Sequence, residues 1–330
     1  MGCGAEPHVK LIHERNEKRM SFSAQDVKEL REMTGVGMMD CKRALTASDG
    51  DMEKAVAFLR EQGLASAQKK AGRITAEGVA YAAVFDGIGV VVEVNSETDF
   101  VARNDMFMGF VKGVAEAIAI NAPSDVEALL TAKYPGIDKT VAEQQQEMIL
   151  VIGENISVRR FVRYTDGLCV PYIHAGGKIG VIVNLEVSGI SDADAVTELG
   201  KDVAMQIAAM RPLYLDVSSV DPAELEKEKE IQYNKALEDS KEKNLPEDKA
   251  RKVAESMVKG RINKFYEEIC LLNQPYVKGD KITVEKHVQQ VAKELGGQIT
   301  IKAFTRFEKG EGIEKKQDDF AAEVASMVSK

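Results

Sequence analysis

Two stretches of this chain read almost alike. "IGVVVEV" occupies residues 88–94 and "IGVIVNL" occupies residues 179–185, an offset of 91. A second match follows in the same order, "VAEAIA" at 114–119 and "VAMQIA" at 203–208, an offset of 89. The first pair reads as buried strand and the second as helix. A strand–helix unit used twice narrows the fold more than any single motif does. The expected class is α+β, with two related strand–helix core subdomains.

The copies differ where the strand feeds the helix. The second junction, "EVSGISDADAV", offers small polar residues suited to a helix cap. The first, "NSETDFVARN", places Asp99 directly before Phe100. A cap needs no aromatic, so this pair reads as an addition to the scaffold. Taken alone, Phe100 could equally pack under its own helix while Asp99 caps it.

Other modules flank the repeat. Residues 22–65 predict three short helices. Ser23 and Asp26 form a capping box, and Phe22 with Val27 a hydrophobic staple. Val27, Leu30 and Met33 mark the first helix's inner face, and Gly35 ends it. The second helix starts at Met38; Asp51 caps the third, and Gly63 ends it. A basic linker follows at 66–74. Residues 75–165 form the first core subdomain: a hairpin around "DGIG", a helix near 105–120, and helical segments from Ser124 to about Arg160. Residues 166–220 and 273–309 form the second. Between them, residues 221–272 are highly charged, with Val258, Ile262, Phe265, Ile269 and Leu272 at helical spacing and a break at Pro246. That pattern predicts a protruding antiparallel coiled-coil hairpin. A helical module is expected at 310–330. Residues 1–21 are expected to be a disordered extension, or sequence preceding a true start near Met20.

The chain has 330 residues and a net charge of −9. It has no Trp, and aromatics make up only 6%. Neither basic clusters nor stacking platforms for nucleic acid are expected. Cys3, Cys41, Cys169 and Cys270 show no CxxC spacing, so no zinc or redox motif is signalled. The reading is a reduced cytoplasmic protein without a membrane span. "MGCGAE" starts like an acylation signal but has Glu6 where Ser or Thr is wanted. Catalytic groups do not converge. His8 and His13 lie near the start, His287 reads as solvent-facing on a helix, and His174 sits on a turn before a double glycine. Gly35 and Gly37 follow a helix rather than a strand, and Asp40 replaces the third glycine of a dinucleotide loop. Cys41 reads as a partly packed, inert thiol. No catalytic, cofactor or metal site is expected.

"LREMTGVGMMDCKRAL" (30–45), "EVNSETDFVARN" (93–104), "IGENISVRR" (152–160), "YIHAGGKIGV" (172–181) and "GEGIEKKQDDFAAEV" (310–324) resemble the signature segments of the bacterial elongation factor Ts family. The resemblance runs in order from about Phe22 to the C-terminus. It implies an N-terminal module like a ubiquitin-associated domain, two related core subdomains, a coiled coil and a C-terminal helix. It implies a guanine-nucleotide exchange factor, without covalent chemistry, for the GTPase elongation factor Tu. By resemblance, Asp99 and Phe100, flanked by Thr98 and Val101, enter the partner near its magnesium and phosphate site. Met38, Met39, His174 and Phe320 become further partner contacts, with one of the two methionines packed in the bundle. Some family members dimerise through the hairpin and others act as monomers. An enzyme using Cys41 or His174, and a structural or chaperone-like coiled-coil protein, are the rival readings.

Overall fold

A computed structural model describes residues 21–242, 246–279 and 282–314. The expected disordered extension, most of the C-terminal helical module and Phe320 lie outside these residues. The chain divides into two compact units, one ending at Gln68 and the other beginning at Lys69.

The first unit holds α1 (Ala24–Thr34), α2 (Met38–Ala47) and most of α3 (Met52–Lys70). The capping box is present: the Ser23 amide donates to Asp26 at 2.6 Å and the Asp26 amide to Ser23 Oγ at 3.3 Å. Gly35 closes α1 in the left-handed conformation, which costs glycine little. Asp51 accepts from the Lys54 amide at the start of α3. Val27, Leu30, Val36, Cys41, Ala44, Leu45, Ala55 and Leu59 are buried. Three expectations need correction. Met33 is exposed rather than on the inner face. Cys41 is fully buried, and that burial raises its thiol pKa. Helix α3 runs past Gly63 to Lys70, so residues 66–70 are helical. The Leu, Ala, Gln and Lys that follow Gly63 favour helix strongly enough to offset one glycine, which costs about 1 kcal/mol.

The second unit is built on two three-stranded antiparallel sheets. In one, β1 (Glu77–Phe85), β2 (Ile88–Ser96) and β3 (Ile156–Tyr164) lie in that order. In the other, β4 (Leu168–His174), β5 (Ile179–Ser188) and β6 (Gln298–Glu308) do the same. The echoed strands β2 and β5 are the central strand of each sheet. Each carries an irregularity in its pairing with the third strand, at Glu93/Val94 and at Asn184/Leu185. Those sites are 91 residues apart, the offset of the strands themselves (184 − 93 = 91).

Helix α4 (Asp99–Ala102) packs on β1 and β2, and so does α5 (Asp105–Asn121). The echoed helix α8 (Ala193–Met210) packs on β4 and β5. The sheets meet at one buried cluster of Ala80, Ala82, Val91, Cys169, Ile182 and Phe307. Gly89 of β2 faces Ile182 and Cys169, while Gly180 of β5 faces the Ala80 backbone. These glycines are also 91 apart, so each sheet thins at the same repeat position where the other approaches.

Helix α6 (Val126–Thr131) precedes α7 (Val141–Ile152). The helical reading to Arg160 is wrong: Gly153 ends α7, and β3 completes the first sheet. Ile156 and Val158 are buried at alternate positions, a period-2 signal masked by the charged residues between Val158 and Phe161.

Helices α9 (Pro222–Glu242) and α10 (Glu247–Ile269) pack side by side. Arg261 pairs with Asp239 at 2.6 Å and donates to the Gln232 carbonyl. Their buried faces use Ala236, Ser240, Ala250, Ala254 and Ile262. Much of that contact lies on small residues not singled out from the sequence. Helix α11 (Val284–Glu294) precedes β6. His287 on α11 is half-buried rather than solvent-facing, and its ring stacks on Tyr276 with centroids 3.9 Å apart.

Candidate functional site

The turn from β2 into α4 is held from both sides. Fully buried Ser96 donates its hydroxyl to the Thr98 carbonyl at 2.9 Å. The Thr98 amide donates to Glu154 Oε2 at 2.9 Å, and the Thr98 hydroxyl to Glu154 Oε1 at 2.6 Å. In return, the Asn155 amide donates to Glu97 Oε1 at 2.6 Å. Asn155 is buried and also donates its side-chain amide to the Arg73 carbonyl. Arg73 Nη1 lies 3.3 Å from Glu97. Two segments 56 residues apart are thus tied by a charged acceptor on each side.

Beyond that clamp the chain makes one turn of helix. Val101 and Ala102 face inward and are 8% exposed. Asn104 then caps α5 through the Met106 amide. Asp99 points to solvent, 3.7 Å from an exposed Arg103, a pairing worth little in water. Phe100 is 83% exposed. Of the four expected contact residues, Thr98 is half-buried, Val101 supports the turn from beneath, and Asp99 and Phe100 are exposed.

His174 ends β4 at an exposed hairpin tip. Its Nδ1 lies 3.0 Å from the Tyr172 hydroxyl. The following Gly177, at φ 94°, lies against Val79 of β1, where a Cβ would come within 2.6 Å of the valine side chain. That contact seats the tip on the same strand that α4 packs against. In the first unit, Met38 and Met39 are 56% and 71% exposed, so neither is packed in the bundle. Among the described residues, no group of three His, Cys, Asp or Glu side chains is placed to hold a metal ion. Nor is any helix among them long and apolar enough to cross a membrane.

The model of the family described as "Elongation factor TS" matches residues 97–311. Elongation factor Ts of Syntrophotalea carbinolica is 49% identical over 310 residues, 93% of this chain and 99% of that protein. That of Clostridium perfringens strain SM101 is 50% identical over 313 residues, 94% of this chain and 100% of that protein. That of Magnetococcus marinus is 45% identical over 311 residues.

The chain belongs to the elongation factor Ts family.

Membership places it among the translation elongation factors. The elongation factor Ts match opens at Glu97, the first residue of the clamped turn, and takes in Phe100, Glu154 and His174. Met38 and Met39 lie before it. The residues missed from the sequence are Glu97, Glu154 and Asn155. Glu154 and Asn155 are the "EN" of "IGENISVRR", and Glu97 stands in "SETDF", both within the segments that carry the resemblance.

Proposed function

We propose that this elongation factor Ts family member is the guanine-nucleotide exchange factor of elongation factor Tu. It binds the GDP-loaded GTPase in the cytoplasm and promotes GDP loss during translation elongation, with no covalent chemistry of its own. The observation that carries the reading is Phe100, a large apolar side chain 83% exposed on a turn whose backbone is fixed. Exposed aromatics of this kind are anchors for a partner's pocket. Phe100 is the wedge that parts helices of the GTPase. Asp99 beside it brings a carboxylate to the magnesium ion that holds GDP. Met38, Met39, His174 and Phe320 complete the contact set, while Thr98, tied to Glu154, and Val101, buried beneath the turn, hold the wedge rather than meet the partner.

Residues 22–65 act as a module like a ubiquitin-associated domain. Helices α9 and α10 form the coiled-coil hairpin through which copies of the chain would pair.

Linkage sets the test. A factor that weakens GDP binding must itself be weakened by GDP to the same extent. The chain should therefore bind nucleotide-free elongation factor Tu far more tightly than the GDP-loaded form, as titration calorimetry with and without GDP would measure. Equal affinity for both forms would overturn the proposal, because such a ligand shifts no equilibrium.

A further inference from the structure

The exposed Phe100 has an inward counterpart in the residue that keeps its turn in place. Helix α4 is four residues long, too short to hold a conformation by its own hydrogen bonds. Its N-cap residue, Thr98, gives two hydrogen bonds to one carboxylate, that of Glu154. Glu154 stands just past the α7 cap, and the next residue, Asn155, is buried and tied to Glu97 and Arg73. The carboxylate is thus carried on a fixed support. Both of its hydrogen bonds come from Thr98. That residue stands immediately before Asp99 and Phe100.

We propose that Glu154 is a positioning residue for the Phe100 wedge. This rests on the exchange-factor reading above. By accepting from both the amide and the hydroxyl of Thr98, Glu154 fixes where α4 begins, and so the direction in which Phe100 leaves the surface. An anchor held this way loses less conformational freedom on entering a pocket. Without Glu154 the same aromatic would still be exposed, but its turn would sample other directions, and fewer encounters would part the partner's helices.

The experiment is a double-mutant cycle on catalysed GDP release from elongation factor Tu, using the full chain as wild type, Phe100→Ala, Glu154→Ala and the double variant. Glu154→Ala is expected to slow release about tenfold, the loss of hydrogen bonds to a charged acceptor. In the Phe100→Ala background it should change nothing further, because the group it positions is gone. Amide hydrogen exchange at Thr98 should quicken in Glu154→Ala while Val94 in β2 stays protected. Glu154→Gln, whose carbonyl accepts from the amide while its NH2 donates to the threonine hydroxyl, should restore most of the rate.

If Glu154→Ala slows release equally in both backgrounds, or leaves the wild-type rate, the positioning role is overturned while the wedge stands. If Phe100→Ala releases GDP at the wild-type rate, the wedge reading falls and takes this role with it. Should Glu154→Ala fail to fold, Thr98→Val removes only the hydroxyl arm. The same cycle then applies, with a smaller, Phe100-dependent slowing expected, and equal slowing in both backgrounds overturning the role.

Discussion

The Glu93 carboxylate, fully buried in β2, lies 2.6 Å from Arg160 Nε on the facing position of β3. Arg159 reaches the same carboxylate at 3.0 Å, and the Gly310 amide donates to it at 2.7 Å. The Arg160 guanidinium also stands 4.3 Å over the Phe307 ring of β6. The acid thereby ties β3 to the segment after β6, and Arg160 carries the link on to β6 of the other sheet. Glu93→Ala should lower stability by about 3 kcal/mol, because a buried ion network loses its centre. Urea unfolding measures this, and a change within about 0.5 kcal/mol would show the network to be dispensable.

Phe100→Ala should do the opposite. Its side chain is exposed, so stability should move by no more than about 0.5 kcal/mol. Catalysed GDP release should fall about 30-fold, the effect of losing an interface anchor worth about 2 kcal/mol. A steep drop in melting temperature with release intact would mean that Phe100 packs against its own chain.

The glycines at the sheet crossing make a graded pair. A Cβ at Gly180 would sit 2.9 Å from the Ala80 backbone, whereas one at Gly89 would meet Ile182 Cδ1 at 2.5 Å and Cys169 Sγ at 2.6 Å. Either alanine should cost about 1–3 kcal/mol by overpacking. Ile182→Val should recover part of the Gly89→Ala loss and none of the Gly180→Ala loss, since backbone cannot be trimmed. Equal recovery in both, measured by chemical denaturation, would refute this account.

His287 predicts a pH dependence. Burial lowers its pKa below the ordinary 6.5, while Asp202 and Glu294 oppose the shift. The unfolded chain therefore binds this proton more readily than the folded one. Stability is full above about pH 6.5 and declines as the pH falls below it toward the depressed native value. His287→Gln should flatten that part of the curve. Unfolding midpoints on both sides of 6.5 test it, and a constant gap between variant and wild type across that range would exclude the effect.

Removing residues 225–268 with a short linker should leave the core folded. The base of the hairpin is tied in outside that span: the Leu213 amide donates to the Ile269 carbonyl, and the Leu271 and Leu272 amides to Tyr214 and Leu215. Sedimentation at rising concentration then compares self-association, and a dimer unaffected by the deletion would rule the hairpin out as the pairing element.

Local signals were legible in the sequence. The capping box at Ser23 and Asp26, the hairpin turn at Asp86 and Gly87 and the echoed central strands depend on neighbours within a few residues. So did the suspicion that Phe100 stands outside the core, which came from comparing the repeat with itself. What stayed hidden was set at a distance. Strand β3 takes its identity from pairing with β2, and Glu154 gains its role only when folding brings it to Thr98. Glu93 reads as one more charge in an apolar run until Arg159 and Arg160 arrive from β3. Exposure was equally hard to read: Met33 and Met39 look alike to a helical pattern that one of them was expected to serve from inside.

The repeat has a practical meaning for protein engineering. Strand β5 reaches α8 through a four-residue connection that ends in the Asp192 cap, with no clamp of the Glu154 kind needed to close it. The same strand–helix passage therefore tolerates both a plain linker and an armed one. A loop taken from the first passage could be transplanted, with its acceptor, into the second, and the donor site refilled with the plain version. The molecule carries within its own chain both the graft and the blank.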